Sequence, residues 1–174
     1  MEKVVVFSCT NRPNSNTIKV SRNYVRLLEQ KGSDVYFLDF CELPNTITHT
    51  EMFGKRTEEY AQLVNEFITQ QSRFVFIVPE YNGSFPGILK TFIDSVHPRE
   101  WNFKKACLVG VADGRAGNLR GMEHLTGILQ YLKMNVYYNK LPISSVNSVL
   151  TPDFLFLEAQ QKVCEMQIDG FLSY

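Results

Sequence analysis

Arg73-Phe74-Val75-Phe76-Ile77-Val78-Pro79 is followed by Glu80-Tyr81-Asn82-Gly83-Ser84-Phe85-Pro86-Gly87, and then by Ile88-Leu89-Lys90-Thr91-Phe92-Ile93-Asp94-Ser95-Val96-His97. The reading of this stretch decides the architecture. The first run is apolar almost without a break, which predicts a strand covered on both faces. The last run places Leu89, Phe92, Ile93 and Val96 at helical spacing, with Pro86 suited to a first helical turn. At the junction, the nine residues from Pro79 to Gly87 hold two prolines and two glycines, which fix the shape of an exposed backbone. Strand, shaped loop, helix is half of a parallel crossover unit.

The same unit repeats outward in both directions. Apolar, β-branched or aromatic runs predict further strands over residues 3–8, 34–39, 105–112 and 135–141. Helices are expected over 16–31, 56–71, 86–97, 117–133 and 152–172. Their inward faces would carry Ile18, Val25 and Leu28; then Tyr60, Leu63, Val64, Phe67 and Ile68; then Met122, Leu125, Leu129 and Leu132; and finally Leu157, Cys164, Ile168 and Phe171. Residues 40–54 read as an irregular loop. The strict β–α alternation predicts an α/β three-layer, doubly wound sheet of five parallel strands in the order 2-1-3-4-5. Ligand chemistry then belongs where the first and third strands end, with help from the loop after residue 112.

Composition narrows the function classes. The 174 residues hold 18 Lys+Arg against 18 Asp+Glu, and this balance argues against a dedicated nucleic-acid binder. A hydrophobic share of 44% with 21% charged residues excludes disorder and fits one domain over 1–174. Cys9, Cys41, Cys107 and Cys164 are far apart, so a disulfide scaffold or zinc ribbon is not expected, and a reduced, cytoplasmic setting is. The run Val4 to Phe7 is too short for a signal-peptide core, and no stretch approaches the roughly 20 apolar residues of a membrane span. His49, His97 and His124 are isolated and lack ligand spacing, so no metal site is expected. Trp101 reads as a packing residue.

Three loops could carry chemistry. The first, Ser8-Cys9-Thr10-Asn11-Arg12-Pro13-Asn14-Ser15-Asn16-Thr17, brings hydroxyls and a permanent cation to a helix N-terminus. That suits a phosphate monoester; it equally suits a helix capped by Ser15 or Asn16 with a solvated Arg12. It contains no G-x-x-x-x-G-K-[ST] and no G-x-G-x-x-G. Ser15 stands where a cysteine phosphatase would need Arg, and no paired acids follow the strand as a receiver domain requires. In the second loop, Tyr81 and Phe85 could pack beside a flat ring while backbone N–H groups serve its polar edge; the alternative is a tight turn with a cap at Ser84. The third, Asp113-Gly114-Arg115-Ala116-Gly117-Asn118, permits close backbone approach and adds a cation, or is simply a glycine-rich turn before a helix.

The stretch from Pro79 through Lys90 and on to Ile93-Asp94 resembles the P-E-Y-N-x-S-x-P-G-x-L-K-N-x-I-D motif of the NADPH-dependent FMN reductase family. Those proteins are flavodoxin-like and include quinone, azo-dye and metal-ion reductases. The resemblance extends over nearly the whole chain. It implies that Ser8, Thr10, Arg12, Ser15, Asn16 and Thr17 hold the FMN phosphate. It implies that Pro79, Glu80, Tyr81, Asn82, Gly83 and Ser84 hold the isoalloxazine, and that Gly114 and Arg115 border the ring. Three positions depart from the family: Cys9 for glycine, Thr91 for asparagine, and Asp113 for a small residue.

The expected function is therefore an FMN-dependent oxidoreductase. It would take hydride from NADPH or NADH and pass electrons to a small-molecule acceptor such as a quinone, an azo compound or free flavin. No side chain need act as acid or base. An FMN-binding electron carrier or sensor is the alternative, and a flavin-free interaction module a third. A homodimer is expected through the helices after the third and fourth strands, with Phe85, Phe92, Val96, Met122 and Leu129 as candidates for its surface or for the core. No membrane or nucleic-acid partner is expected.

Overall fold

The structure, a computed structural model, describes residues 3–174. Strand β1 is Lys3–Ser8, followed by helix α1 at Asn16–Gln30, strand β2 at Asp34–Asp39, helix α2 at Glu58–Val64, strand β3 at Arg73–Pro79 and helix α3 at Gly87–Ser95. Then come strand β4 at Lys105–Val111, helix α4 at Leu119–Tyr131, two short strands β5 (Asn135–Val136) and β6 (Leu141–Ile143), and helix α5 at Glu158–Ser173. The sheet order is β2-β1-β3-β4-β5, with β6 also on β4, and every pairing is parallel. The expected flavodoxin-like order holds.

Side chains alternate between the two faces of the sheet, and the two faces differ in kind. Val4, Val6, Val75, Ile77, Cys107 and Val109 face α1 and α5, meeting Val20, Tyr24, Leu27, Ile168 and Phe171. Val5, Phe7, Phe74, Phe76 and Leu108 face α2, α3 and α4. That second layer centres on rings: Phe7, Phe40 and Phe92 converge with centroids 4.8–5.8 Å apart. Trp101, fully buried, closes the set against Phe74, Phe76 and Phe92, which is the packing role expected of it.

Several expectations need correction. The fifth strand is two short pieces. Tyr137 turns into the core beside α5, and Gln167 of α5 donates to Asn139 O at 2.7 Å and to Leu108 O at 3.1 Å, which pulls the chain off the ladder between the pieces. The last helix begins at Glu158 rather than at residue 152. Asn23 on α1 takes the preceding segment instead: its Nδ2 donates to Phe154 O at 2.8 Å, and its Oδ1 accepts from Phe156 N–H at 3.0 Å. Leu157, expected inward, is consequently 44% exposed. Leu28 is buried as expected, but the rest of the buried face of α1 is rotated from the one expected: Ile18 and Val25 are only half-buried, whereas Val20, Tyr24 and Leu27 are buried. Residues 40–54 are less irregular than expected, containing a 3-10 turn at Phe40–Glu42 and a wide π-turn at Ile47–Glu51. The second helix likewise ends in a wide turn, Asn65–Thr69.

Phe92, Val96, Met122 and Leu129 are core residues, each at most 2% exposed, and Phe85 is half-buried against them. Phe92, Met122 and Leu129 are therefore spent on the core rather than offered as a dimer surface. No helix among the described residues is long and apolar enough to cross a membrane.

Candidate functional site

The C-terminal ends of β1, β3 and β4 open on a cleft of about 380 Å³. Its walls come from Arg12 to Thr17, from Pro79 to Tyr81, from Val111 to Asp113, and from Val146. It lies at the point where the strand order reverses, the position at which open parallel sheets bind ligands.

The first loop ends in a capped helix. Ser15 Oγ accepts from Ile18 N–H at 3.3 Å, so of the two caps the sequence offered, Ser15 is the one used. Yet α1 carries no acidic residue in its first turn, so its positive dipole end has no anion of its own. Arg12 is exposed and makes no ion pair among the described residues. Ser8 Oγ, fully buried at the end of β1, has no hydrogen-bond partner among the described residues. A free guanidinium, an orphaned hydroxyl and unpaired helix amides form a donor set without an acceptor, which is the chemistry of an anion site.

Cys9 stands where the resembled family carries glycine, but its side chain points into the core under α2 and α3. Its thiol donates to Phe7 O at 3.6 Å, and burial pushes its pKa well up, so it is an inert apolar filler. The face of the loop toward the cleft is left clear.

The second loop is a two-residue hairpin turn. Tyr81 N–H donates to Ser84 O at 2.8 Å, and Ser84 N–H donates back to Tyr81 O at 3.0 Å. The central residues Asn82 and Gly83 have φ of 51° and 78°, the left-handed pair that a type I′ turn requires and Asn-Gly supplies. Ser84 is therefore a turn residue, not a cap; Pro86 occupies the cap of α3. Tyr81 reaches back across the cleft, its hydroxyl 2.7 Å from Thr10 Oγ1.

The third loop is pinned to the second by Asn118, whose Nδ2 donates to Val78 O at 2.9 Å and Pro79 O at 3.0 Å. Asp113 stands at the cleft edge, its Oδ1 accepting from Asn147 Nδ2 at 3.0 Å. Asn147 Oδ1 in turn accepts from Asn16 Nδ2 at 3.0 Å, tying this rim to α1.

Of the residues singled out from sequence, Arg12, Ser15, Asn16, Thr17, Pro79, Glu80 and Tyr81 line one cleft. Ser8 and Thr10 lie buried at the base of the same loop. Asn82, Gly83 and Ser84 form the turn at its edge; Ser84 Oγ is 2.9 Å from His124 Nδ1. Gly114 and Arg115 lie outside the cleft wall, with their carbonyls engaged by Ser145 N–H and Ser144 Oγ. The sequence reading missed Val146 and Asn147, because only the folded chain carries the turn after β6 to the cleft. Asn118 was named there only as part of a loop; the αL geometry that aims its amide at β3 was the missing signal.

The family model for NADPH-dependent FMN reductase matches residues 2–147. An NAD(P)H:quinone oxidoreductase of Solanum tuberosum is 32% identical over 147 residues, covering 82% of this chain and 66% of that protein. A 2-hydroxy-1,4-benzoquinone reductase of Burkholderia sp is 28% identical over 104 residues, covering 58% of this chain and 56% of that protein. These two alignments thus span less than two thirds of either relative's own length. Among solved structures, the flavoenzyme NAD(P)H:(acceptor) oxidoreductase FerB of Paracoccus denitrificans superposes with a TM-score of 0.82 at 21% identity, covering 100% of this chain and 97% of that one. The family match runs from the first strand through all three loops that frame the cleft, and the chain belongs to the NADPH-dependent FMN reductase family.

Proposed function

We propose that this protein binds FMN in the cleft and acts as an NAD(P)H-dependent reductase of a small-molecule acceptor, a quinone, an azo compound or free flavin. The observation that carries the reading is the acceptor-less donor set of the first loop, held at one end of a cleft whose other wall is the shaped second loop. In this account Arg12, the Ser8 and Thr10 hydroxyls and the first turn of α1 over Ser15, Asn16 and Thr17 hold the phosphate. The segment Pro79-Glu80-Tyr81-Asn82-Gly83-Ser84 holds the ring, and Gly114 and Arg115 border it. Bound FMN supplies the chemistry: hydride acceptance from a nicotinamide and electron delivery to the second substrate.

The chain's own part is position and electrostatics. Asn118 fixes the carbonyls of Val78 and Pro79, so the second loop leaves β3 at one angle. The type I′ turn holds the backbone of Asn82 and Gly83 rigid without a bulky side chain at Gly83. Asp113 and Arg12 bracket the cleft with opposite charges.

The same reading includes a homodimer and a cytoplasmic setting. The side chains of all four cysteines are free, as a reducing compartment keeps them. Between α3 and α4 runs an apolar groove of about 580 Å³, bordered by Ile93, Val96, Ile128 and Leu132. Phe53 and Tyr131 stand on its rims, 85% and 86% exposed. A patch that carries both a groove and projecting rings can match a second copy of itself across a two-fold axis. His124 lies in this groove and also contacts Ser84, so a partner there would cover the edge of the proposed flavin site.

The test is NADPH and NADH oxidation by FMN-loaded protein with a quinone acceptor. Turnover that requires both FMN and the acceptor supports the proposal. FMN uptake without nicotinamide oxidation would replace it with an electron carrier.

A further inference from the structure

Thr10 and Tyr81 lie 71 residues apart, on different loops, with their hydroxyl oxygens 2.7 Å from one another. Arg12 N–H donates to the same Thr10 Oγ1 at 3.2 Å. A hydroxyl has one proton and two lone pairs. With Tyr81 as the donor, both lone pairs of Thr10 are filled, and its single proton is left for a third group. Among the described residues no such group is in place. What lies beside Thr10 along the loop is the orphaned Ser8 hydroxyl and the unpaired Arg12, the same acceptor-less donor set.

We infer that Tyr81 is a positioning residue that selects a phosphorylated flavin over an unphosphorylated one, by donating to Thr10 and so turning the Thr10 proton toward the phosphate. The inference rests on the FMN reading above. Without an anion, the Thr10–Tyr81 pair can run in either direction. A phosphate oxygen accepting from Thr10 fixes it: Tyr81 donates to Thr10, and Thr10 donates to phosphate. Each bond polarises the next, so the Tyr81 hydroxyl strengthens a charge-assisted contact that it does not itself make. The role belongs to the hydroxyl alone; the ring of Tyr81 is free to pack in the cleft as before.

The experiment compares FMN with riboflavin, which lacks the phosphate, by quenching of flavin fluorescence. Wild type, Tyr81→Phe, Thr10→Val, Thr10→Ser and the double variant Tyr81→Phe/Thr10→Val are titrated with each. Tyr81→Phe is expected to weaken FMN about fivefold and to leave riboflavin unchanged. Thr10→Val should weaken FMN by at least as much, Thr10→Ser should restore it, and the double variant should be no weaker than Thr10→Val. Equal losses for FMN and riboflavin in Tyr81→Phe would show that Tyr81 acts on the ring, and would overturn the inference. So would an unchanged FMN affinity. A wild type that takes up FMN while Tyr81→Phe shows no selective loss sinks the inference alone; a wild type that takes up no FMN sinks the underlying reading with it.

Discussion

Asn118 holds Pro79 from 39 residues away, its side-chain amide donating to the Pro79 carbonyl at 3.0 Å from a left-handed backbone, φ 63°. Because Pro79 ends β3 and Asn118 caps α4, this one side chain sets the spacing between the second and third loops. Gly121 makes room for it: a Cβ there would stand 2.1 Å from Asn118 Oδ1 and 2.8 Å from the backbone of Ser84.

Asn118→Ala should therefore leave two buried carbonyls short of a donor and place Ala in a strained conformation. A destabilisation of about 2–4 kcal/mol is expected, read as a lower urea midpoint with unchanged slope. Gly121→Ala should lower stability by overpacking, about 1–3 kcal/mol, at the same place. A neutral outcome for both would mean that the two loops are set independently.

Arg12→Ala should separate binding from folding. Arg12 is exposed and unpaired among the described residues, so its loss should leave the melting temperature nearly unchanged. A charge-assisted contact of about 1.5–3 kcal/mol predicts a 10- to 150-fold loss in FMN affinity. Unchanged affinity in an FMN titration would reduce the first loop to a helix cap.

Gly83→Val should remove flavin binding while the sheet persists. The φ of 78° at Gly83 disfavours a β-branched residue, and a Cβ would meet Arg120 Nη1 at 2.9 Å. Native far-UV circular dichroism together with lost FMN uptake is the expected pair of results; normal uptake would move the ring away from this turn.

Stability should fall on the alkaline side. Burial raises the thiols of Cys9, Cys107 and Cys164 and the phenol of Tyr24 above their ordinary values. A group whose folded pKa lies above its unfolded one contributes its full stability below the unfolded value and loses it as pH rises beyond. The unfolded chain releases these thiol protons first, at about pH 8.5. The urea midpoint should accordingly fall from there upward, and Cys107→Ala should lessen the slope. A midpoint flat to pH 10 or above, on the ordinary tyrosine scale of about 10, would contradict the assignment.

The legible part of this fold was local. Arg73 to Pro79 and Lys3 to Ser8 are apolar nearly throughout because both sides of the sheet are covered, and that pattern survives in a single strand. The Asn82-Gly83 pair writes its turn into the sequence; the tight turn was offered there as an alternative, together with a cap at Ser84 that Pro86 takes instead. What stayed hidden depends on partners far along the chain. The break between β5 and β6 is held by Gln167, and the late start of α5 by Asn23. The cleft follows the same division. Arg12 and Ser15 announce themselves by position before a helix, whereas Asn147 reaches the cleft edge through partners far along the chain, Asp113 and Asn16, the latter 131 residues away.

FMN binding in this cleft and the passage of nicotinamide electrons through it can be read in one titration. The most direct measurement is the visible flavin spectrum of FMN-loaded, desalted protein under anaerobic conditions as NADPH and then a quinone are added. The account predicts that the flavin band co-elutes with the protein, bleaches with NADPH or NADH, and returns when the quinone is supplied. A protein that emerges colourless after incubation with FMN, or one whose band neither nucleotide bleaches, would contradict it.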